Sequence, residues 1–182
     1  MKFEHRHGDV LVRPLAPEDA ASLHRAVRDS IDSLSYWLPW CREDYSLADA
    51  TDWIRGAIAS WEAGSAFPLG VFDRDGAVIG GTGISDLDRG AGVGNIGYWT
   101  CESARNRGVA TTAARASALL GFGKLGLARL EIVVLAQNLA SRRVAEKLGA
   151  LHEAEVHDRL RFRDQPAAAV VYSLVRADIM IV

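Results

Sequence analysis

The chain has 182 residues, of which 49% are apolar and 24% are charged, so its apolar surface suffices for one sizeable core and rules out a disordered chain. The formal net charge is −2, from 21 basic and 23 acidic side chains, and lacks the basic excess typical of nucleic-acid-binding proteins. No apolar run approaches the roughly 18 residues of a membrane span. We therefore predict a single domain over residues 1–182, with neither a nucleic-acid nor a membrane partner.

The first third of the chain predicts one strand and two helices. Residues 9–15 alternate in hydrophobicity as a strand does, and Pro17 stands where a helix can begin. The stripe that continues this helix consists of Ala20, Leu23, Val27, Ile31 and Leu34. A second helix is predicted from Ser46 to Gly64, because Ser46 and Asp49 have nearly the pattern of a capping box. Its predicted apolar face consists of Trp53, Ile54, Ala57, Ile58 and Trp61.

The rest of the chain predicts a meander followed by alternating helices and strands. Residues 66–72 and 77–84 read as two strands around a tight turn, and a glycine-rich loop leads to a third. The further predicted elements are a strand from Ile96 to Cys101, a helix ending near Leu125, a strand at 130–136, a helix between Asn138 and Gly149, and strands at 154–163 and 168–176. This order is typical of a mixed α/β sheet with helices on its faces.

The turn at 105–111 carries the strongest chemical signal, because it follows a strand and opens a helix. The first amides of a helix lack partners within it, a glycine lets a phosphate approach the backbone, and two arginines add positive charge. The residues are Arg105, Asn106, Arg107, Gly108, Val109, Ala110 and Thr111. A simple β–α turn with a basic surface would look the same, and the dinucleotide and P-loop fingerprints do not match.

These residues resemble the acyl-CoA signature of the GNAT acetyltransferases, Arg-x-x-Gly-x-Ala. Other segments of this sequence agree with the resemblance, in the same order along the chain. They are Leu11–Leu15, Trp37–Trp40, Ile96–Trp99, Asn138–Ser141 and Glu146–Ala150. Together they are similar to the Rim-type branch, which includes ribosomal-protein N-terminal acetyltransferases.

The resemblance implies a mixed, mostly antiparallel sheet flanked by helices, in which two central strands separate at an acetyl-CoA cleft. Backbone groups of Trp99, Thr100 and Cys101 would pair with the pantetheine arm, as an added strand would. The amides of residues 105–111 would hold the pyrophosphate. It implies acetyl-CoA as co-substrate, no metal, and an amine as the acceptor.

The resemblance also implies roles for Asn138 and Ser141, which would lie in the cofactor site. Ser141 is the candidate proton donor to the departing thiolate, although it could be an ordinary residue of a first helical turn. The expected acid before Ile96 is replaced by Asn95, so the general base stays open. Glu102, Asp86 and Asp88 are candidates near strand ends; each also fits a surface acid, and His152 and His157 are alternatives.

The acceptor side is less defined. Tyr36, Trp37 and Trp40 fit either a core or dimer-contact cluster or an aromatic wall at the substrate entrance. The two cysteines, Cys41 and Cys101, form neither a disulfide framework nor a zinc motif, so a reducing cytoplasm is the expected location. Cys101 could form an acyl-enzyme, but direct transfer is the prediction.

Four functions are compatible with these patterns. The leading one is acetylation of a protein N-terminal α-amine by direct attack in a ternary complex. The others are acetylation of a small amine such as an antibiotic or polyamine, a non-catalytic acyl-CoA-binding module, and an ATP-binding protein that uses the 105–111 turn. A homodimer fits the resemblance and the number of tryptophans.

Overall fold

The computed structural model describes residues 2–180, which form one eight-stranded sheet with helices packed against it. The strands are β1 (His5–His7), β2 (Val10–Arg13), β3 (Phe67–Phe72), β4 (Val78–Asp88), β5 (Val93–Thr100), β6 (Arg129–Leu135), β7 (Leu151–Phe162) and β8 (Gln165–Val175). The α-helices are α1 (Ala20–Arg28), α2 (Ile31–Trp37), α3 (Leu47–Ala63), α4 (Val109–Gly123), α5 (Leu139–Lys147) and α6 (Arg176–Met180). Within residues 2–180, no helix has both the length and the apolar character needed to cross a bilayer.

The strands follow the order β1-β2-β3-β4-β5-β6-β8-β7 in an open sheet. Neighbouring strands are antiparallel except β5 and β6, which run parallel and are connected through α4. A parallel pair needs such a crossover, because the second strand must start again from the same end of the sheet. The predicted mixed, mostly antiparallel α/β class is therefore confirmed.

The first predicted helix is divided in the structure. A 3₁₀ turn over Pro17–Asp19 leads into α1, and α2 begins only after Ser30, whose φ of −122° and ψ of 18° lie outside the helical region. The predicted apolar stripe continues on both sides of this break, since Leu23, Val27 and Leu34 are all buried. The pattern did not indicate the short elements β1 and α6, because three to five residues are too few for a period.

Helix α3 has the predicted ends and, apart from Trp53, the predicted apolar face. Ser46 and Asp49 form a reciprocal capping box, and Gly64 ends the helix in the left-handed conformation with φ of 66°. Ile54 is buried as expected. Trp53 was expected on the same inner face, and this is wrong: 51% of its surface is exposed. Position 53 lies beside a cleft rather than on the core.

Helix α4 packs closely on the sheet because small side chains line its inner face. The hydroxyls of Ser117 and Thr82 lie 2.9 Å apart between helix and sheet. A Cβ added to Gly121 would come within 2.9 Å of Leu130 Cδ1, so a side chain there would push the helix outward. The helix ends at Gly123, slightly before the predicted Leu125. This packing fixes where the first turn of α4 lies relative to β5.

Candidate active site

A cleft opens where β5 and β6 separate. The two strands pair at only three positions, of which the last is Asn95 with Glu131. Beyond them β5 stays paired with β4 and β6 with β8, and both strands line a cleft of about 970 Å³. Backbone groups that face such a gap have no ladder partner and can bind an extended ligand as an added strand would.

The turn before α4 is exposed at residues 105–108 and lies at the start of the helix. Gly108 is the N-cap with φ of 77°, and no side-chain hydrogen bond caps this helix. Asn106 also has a left-handed conformation, with φ of 58°, which asparagine tolerates better than most residues. Arg105 and Arg107 are exposed on the same turn. Free first-turn amides beside two guanidinium groups can hold an anionic group, as predicted for the pyrophosphate.

Ser141 lies in the cleft at the first turn of α5. The Asn138 side-chain oxygen accepts a hydrogen bond from the Ser141 amide at 3.1 Å, so Asn138 is the predicted N-cap. The Ser141 hydroxyl donates to the Tyr98 hydroxyl at 3.1 Å, and Tyr98 donates in turn to the Ser141 carbonyl at 2.9 Å. This pair joins β5 to α5 across the gap and fixes the direction of the Ser141 hydroxyl.

Tyr98 is a neutral group in this site. Burial raises the pKa of its hydroxyl to about 12, so it keeps its proton through the physiological range. Behind it, the Tyr172 hydroxyl donates to Glu146 at 3.0 Å and accepts from Arg142 at 3.3 Å. These contacts connect strand β8 to α5.

The residues predicted to follow the pantetheine arm differ in their surroundings. The Trp99 side chain lines the cleft, and Thr100 is half-buried opposite Gly80. The Cys101 amide already donates to the Ile79 carbonyl at 2.9 Å. Its thiol is 4% exposed and points at the Ala26 carbonyl, and burial raises its pKa to about 11. A buried, protonated thiol is a poor nucleophile, which favours direct transfer over an acyl-enzyme.

The candidate bases do not lie among the residues that line the cleft. Glu102 is exposed and its amide donates to Ser30 at 3.0 Å, while Asp86 and Asp88 are exposed near the end of β4. The carboxylates that do line the cleft belong to Asp49 and Asp52 of α3. The role of Glu102 as general base therefore stays a prediction.

His152 and His157 are exposed on β7, and neither is among the cleft residues. In the part of the chain that the structure describes, no three His, Cys, Asp or Glu side chains meet as a metal site.

The predicted aromatic cluster is divided between the cleft and the surface beside it. Trp37 and Trp40 line the cleft, whereas Tyr36 does not. Tyr36 packs edge-on against Trp37, and the Arg163 guanidinium lies 4.4 Å from its ring centroid. Trp40 instead contacts Trp53 and Trp99, so the cleft part of the cluster is built from three separate elements.

Sequence reasoning gave no individual role to two residues of the cleft. Tyr98 was read only as part of a motif, and the contact with Ser141 spans 43 positions in the chain. Trp53 was assigned to the core because its helical spacing matches that of Ile54 and Ala57. A large aromatic side chain near a predicted aromatic cluster could have suggested that Trp53 lies in the cleft instead of the core. Only the packing of α3 brings Trp53 to the cleft.

Comparison with known proteins agrees with this geometry. A family model described as an acetyltransferase (GNAT) domain matches residues 9–151. YdaF of Bacillus subtilis (strain 168), named provisionally as a ribosomal N-acetyltransferase, is 28% identical over 93% of this chain and 92% of its own length. A structure from Vibrio cholerae, named provisionally as a ribosomal-protein-serine acetyltransferase, is 26% identical with a TM-score of 0.80, over 95% of this chain and 97% of that one. RimJ of Mycobacterium smegmatis, solved with CoA-disulfide, is 24% identical with a TM-score of 0.85, over 93% of this chain and 83% of that one.

Proposed function

Because this chain belongs to the GNAT family of acetyltransferases, and its relatives place it in the Rim-type branch, we propose that it acetylates a protein N-terminal α-amine. Acetyl-CoA is the donor in this proposal, and transfer occurs by direct attack in a ternary complex. The observation that carries it is the gap between β5 and β6, with Ser141 on one side of it and the uncapped start of α4 near the end of β5.

The chain supplies groups for each part of acetyl-CoA. The first-turn amides of α4, with Arg105 and Arg107, fit the pyrophosphate, and the unpaired edge of β5 beyond Asn95 fits the amides of the pantetheine arm. The thioester then lies in the gap near Ser141.

The chemistry needs a neutral amine and a proton for the leaving group. The amine nitrogen attacks the thioester carbonyl carbon, the C–N bond forms, and the C–S bond breaks as the tetrahedral intermediate collapses. Ser141 donates its hydroxyl proton to the departing thiolate and regains a proton from solvent, and the amine nitrogen loses a proton to solvent or to a base such as Glu102. An α-amine with a pKa near 8 is about one-tenth neutral at pH 7, whereas a lysine near 10.4 is neutral in under about 0.1% of molecules. A cleft with few candidate bases therefore suits an α-amine better.

Location and assembly belong to the same proposal. A ribosomal-protein acceptor would place the enzyme in the cytoplasm, and the free, buried Cys41 and Cys101 are compatible with a reducing compartment. A single-domain organisation and a homodimer are also parts of the proposal, and sedimentation of the full chain tests the homodimer.

A thiol-release assay with acetyl-CoA tests the function. The panel contains peptides with different first residues, polyamines, aminoglycosides and free amino acids. Peptide-dependent release supports the proposal, release with polyamines or aminoglycosides alone favours the small-molecule alternative, and CoA binding without release favours a non-catalytic module. Competition of ATP against CoA separates the nucleotide-binding alternative.

Ser141→Ala tests the assigned proton donor. We expect kcat to fall about 100-fold or more while the affinity for acetyl-CoA stays within about twofold. Ser60→Ala is the matched control, because Ser60 also lines the cleft but its hydroxyl donates to the Gly56 carbonyl. An unchanged kcat in Ser141→Ala would refute the assignment.

A further inference from the structure

Three tryptophans from three different elements form one side of the cleft. Trp40 follows α2, Trp53 belongs to α3 and Trp99 to β5. Trp40 and Trp53 are 42% and 51% exposed, and their rings are nearly parallel, with an angle of 16° and centroids 6.4 Å apart. Trp99 meets Trp40 edge-on at 5.9 Å. Indole rings are costly to leave in water, so this much exposed aromatic surface inside a cleft indicates a binding surface.

Beside the indoles, the sheet carries almost no side chains. Gly81 is the cross-strand partner of Trp99, and Gly83 is the partner of Gly97, so all four positions lie on one face. A Cβ on Gly81 would approach Trp99 Nε1 to 2.5 Å, and one on Gly83 would approach the Phe67 carbonyl to 2.8 Å. A Cβ on Gly97 would meet nothing within 4 Å. Gly81 and Gly83 are thus closely packed, whereas Gly97 leaves open space on the face that carries Trp99.

The charged groups of this part of the cleft are occupied by neighbours. Asp49 is paired with Arg42 at 3.5 Å, and Asp52 with Arg55 at 2.8 Å. Arg161, which lines the opposite side, donates to the Asp164 carbonyl. The cleft is lined by two arginines, Arg42 and Arg161, and by two aspartates, Asp49 and Asp52, so its formal charge is zero and contact with aromatic surface is left as the main source of affinity.

We propose that this surface, which we call the indole pocket (Trp40, Trp53, Trp99 and the open space at Gly97), binds an aromatic side chain of the acceptor. That side chain belongs to the residue that carries the reacting amine or to the next one, because the pocket and the Ser141 hydroxyl share one cleft. A flat ring can stack on an indole face or meet an indole edge, and the open space at Gly97 gives it room. This inference rests on the proposed function only in taking the cleft to be the acceptor site.

A binding measurement, rather than a turnover assay, tests whether the indole pocket binds an aromatic side chain. Calorimetric titration of the CoA-saturated protein compares three dipeptide amides, Ala-Ala, Ala-Phe and Phe-Ala, with Ala-Lys as the charged comparison. We expect at least one phenylalanine-containing ligand to bind about tenfold or more tightly than Ala-Ala and Ala-Lys. Equal affinities, or tightest binding of Ala-Lys, would overturn the proposal. Because no acetyl transfer is needed, failure of the proposed function in the thiol-release assay leaves this result interpretable.

Two pairs of variants test whether the preference for aromatic dipeptides arises at the indole pocket. Trp53→Ala should reduce the aromatic preference about tenfold, whereas Tyr36→Ala, at a similarly exposed aromatic outside the cleft lining, should keep it. Gly97→Leu should abolish dipeptide binding. Gly123→Leu is its control, because a Cβ there also meets nothing within 4 Å.

Thermal melting confirms that each of these variants is folded. An aromatic preference that survives in Trp53→Ala would refute the pocket. Unchanged dipeptide binding in Gly97→Leu would equally overturn the assignment.

Discussion

The hydroxyl of Tyr98 offers a sharp test of how the cleft works, because it contacts Ser141 twice. It accepts from the Ser141 hydroxyl and donates to the Ser141 carbonyl. Tyr98→Phe removes both contacts while keeping the ring. A single hydrogen bond contributes about 0.5–1.5 kcal/mol net, and about 1.4 kcal/mol corresponds to a factor of ten in rate. If the lost contact holds the Ser141 side chain in position, kcat should fall about 2- to 12-fold.

A double-mutant cycle distinguishes positioning from general destabilisation. In steady-state assays with saturating acetyl-CoA, Tyr98→Phe should lower kcat and leave the KM for acetyl-CoA within about twofold. In the Ser141→Ala background the same change should have less than a twofold effect, because there is no hydroxyl left to direct. Tyr172→Phe is the control, since it removes a buried hydroxyl bonded to Glu146 and Arg142 but not to Ser141. Equal effects of Tyr98→Phe in both backgrounds would refute the reasoning.

Three further predictions concern charge and the thiol. Arg107→Ala should raise the KM for acetyl-CoA about fivefold at low salt and by less at 0.5 M KCl, while kcat stays unchanged. The control Arg74→Ala, in the β3–β4 turn, should change neither KM nor kcat. An increase in KM that does not depend on salt would argue against an electrostatic role of Arg107. Glu153 accepts a hydrogen bond from Arg129, which lowers the pKa of Glu153 to about 2. The contribution of Glu153 to the free energy of unfolding is therefore complete above about pH 4.5 and is lost as the pH falls toward 2. Glu153→Gln should reduce this loss of stability at acid pH in denaturant titrations, and an unchanged loss would contradict the pairing. Cys101→Ala should keep kcat within about twofold, and a loss of kcat in a folded variant would revive the acyl-enzyme route.

The elements were predictable where their signals are local. The Ser46–Asp49 capping box, the Asn138 cap and the glycine at the end of α3 each depend on contacts within a few residues, and all are present in the structure. The single helix expected from Pro17 is divided in the structure, and this break was not predictable. The apolar stripe continues across Ser30, although the backbone leaves the helical region there. A period in hydrophobicity reports which face is buried, and it is insensitive to a short break between two helices that bury the same face.

The candidate site was predictable in its segments but not in its contacts. The turn at 105–111 could be read as an anion site, because glycine, arginine and a helix start are consecutive in the chain. The glycines from Gly80 to Gly83 had no sequence-based explanation. Their reason is tertiary: Gly81 lies under the Trp99 indole, and Gly83 lies against the carbonyl of Phe67 on the neighbouring strand.

The sequence by itself thus determined the order of elements, their caps and the polar turn that leads into α4, since these depend on interactions between near neighbours in the chain. The tertiary structure decided which distant side chains meet. The β5–β6 separation and the packing of α5 bring Tyr98 to Ser141, and the packing of α3 brings Trp53 to Trp40. Strand register and helix packing set these contacts collectively, because they minimise exposed apolar surface over the whole core rather than within any one segment.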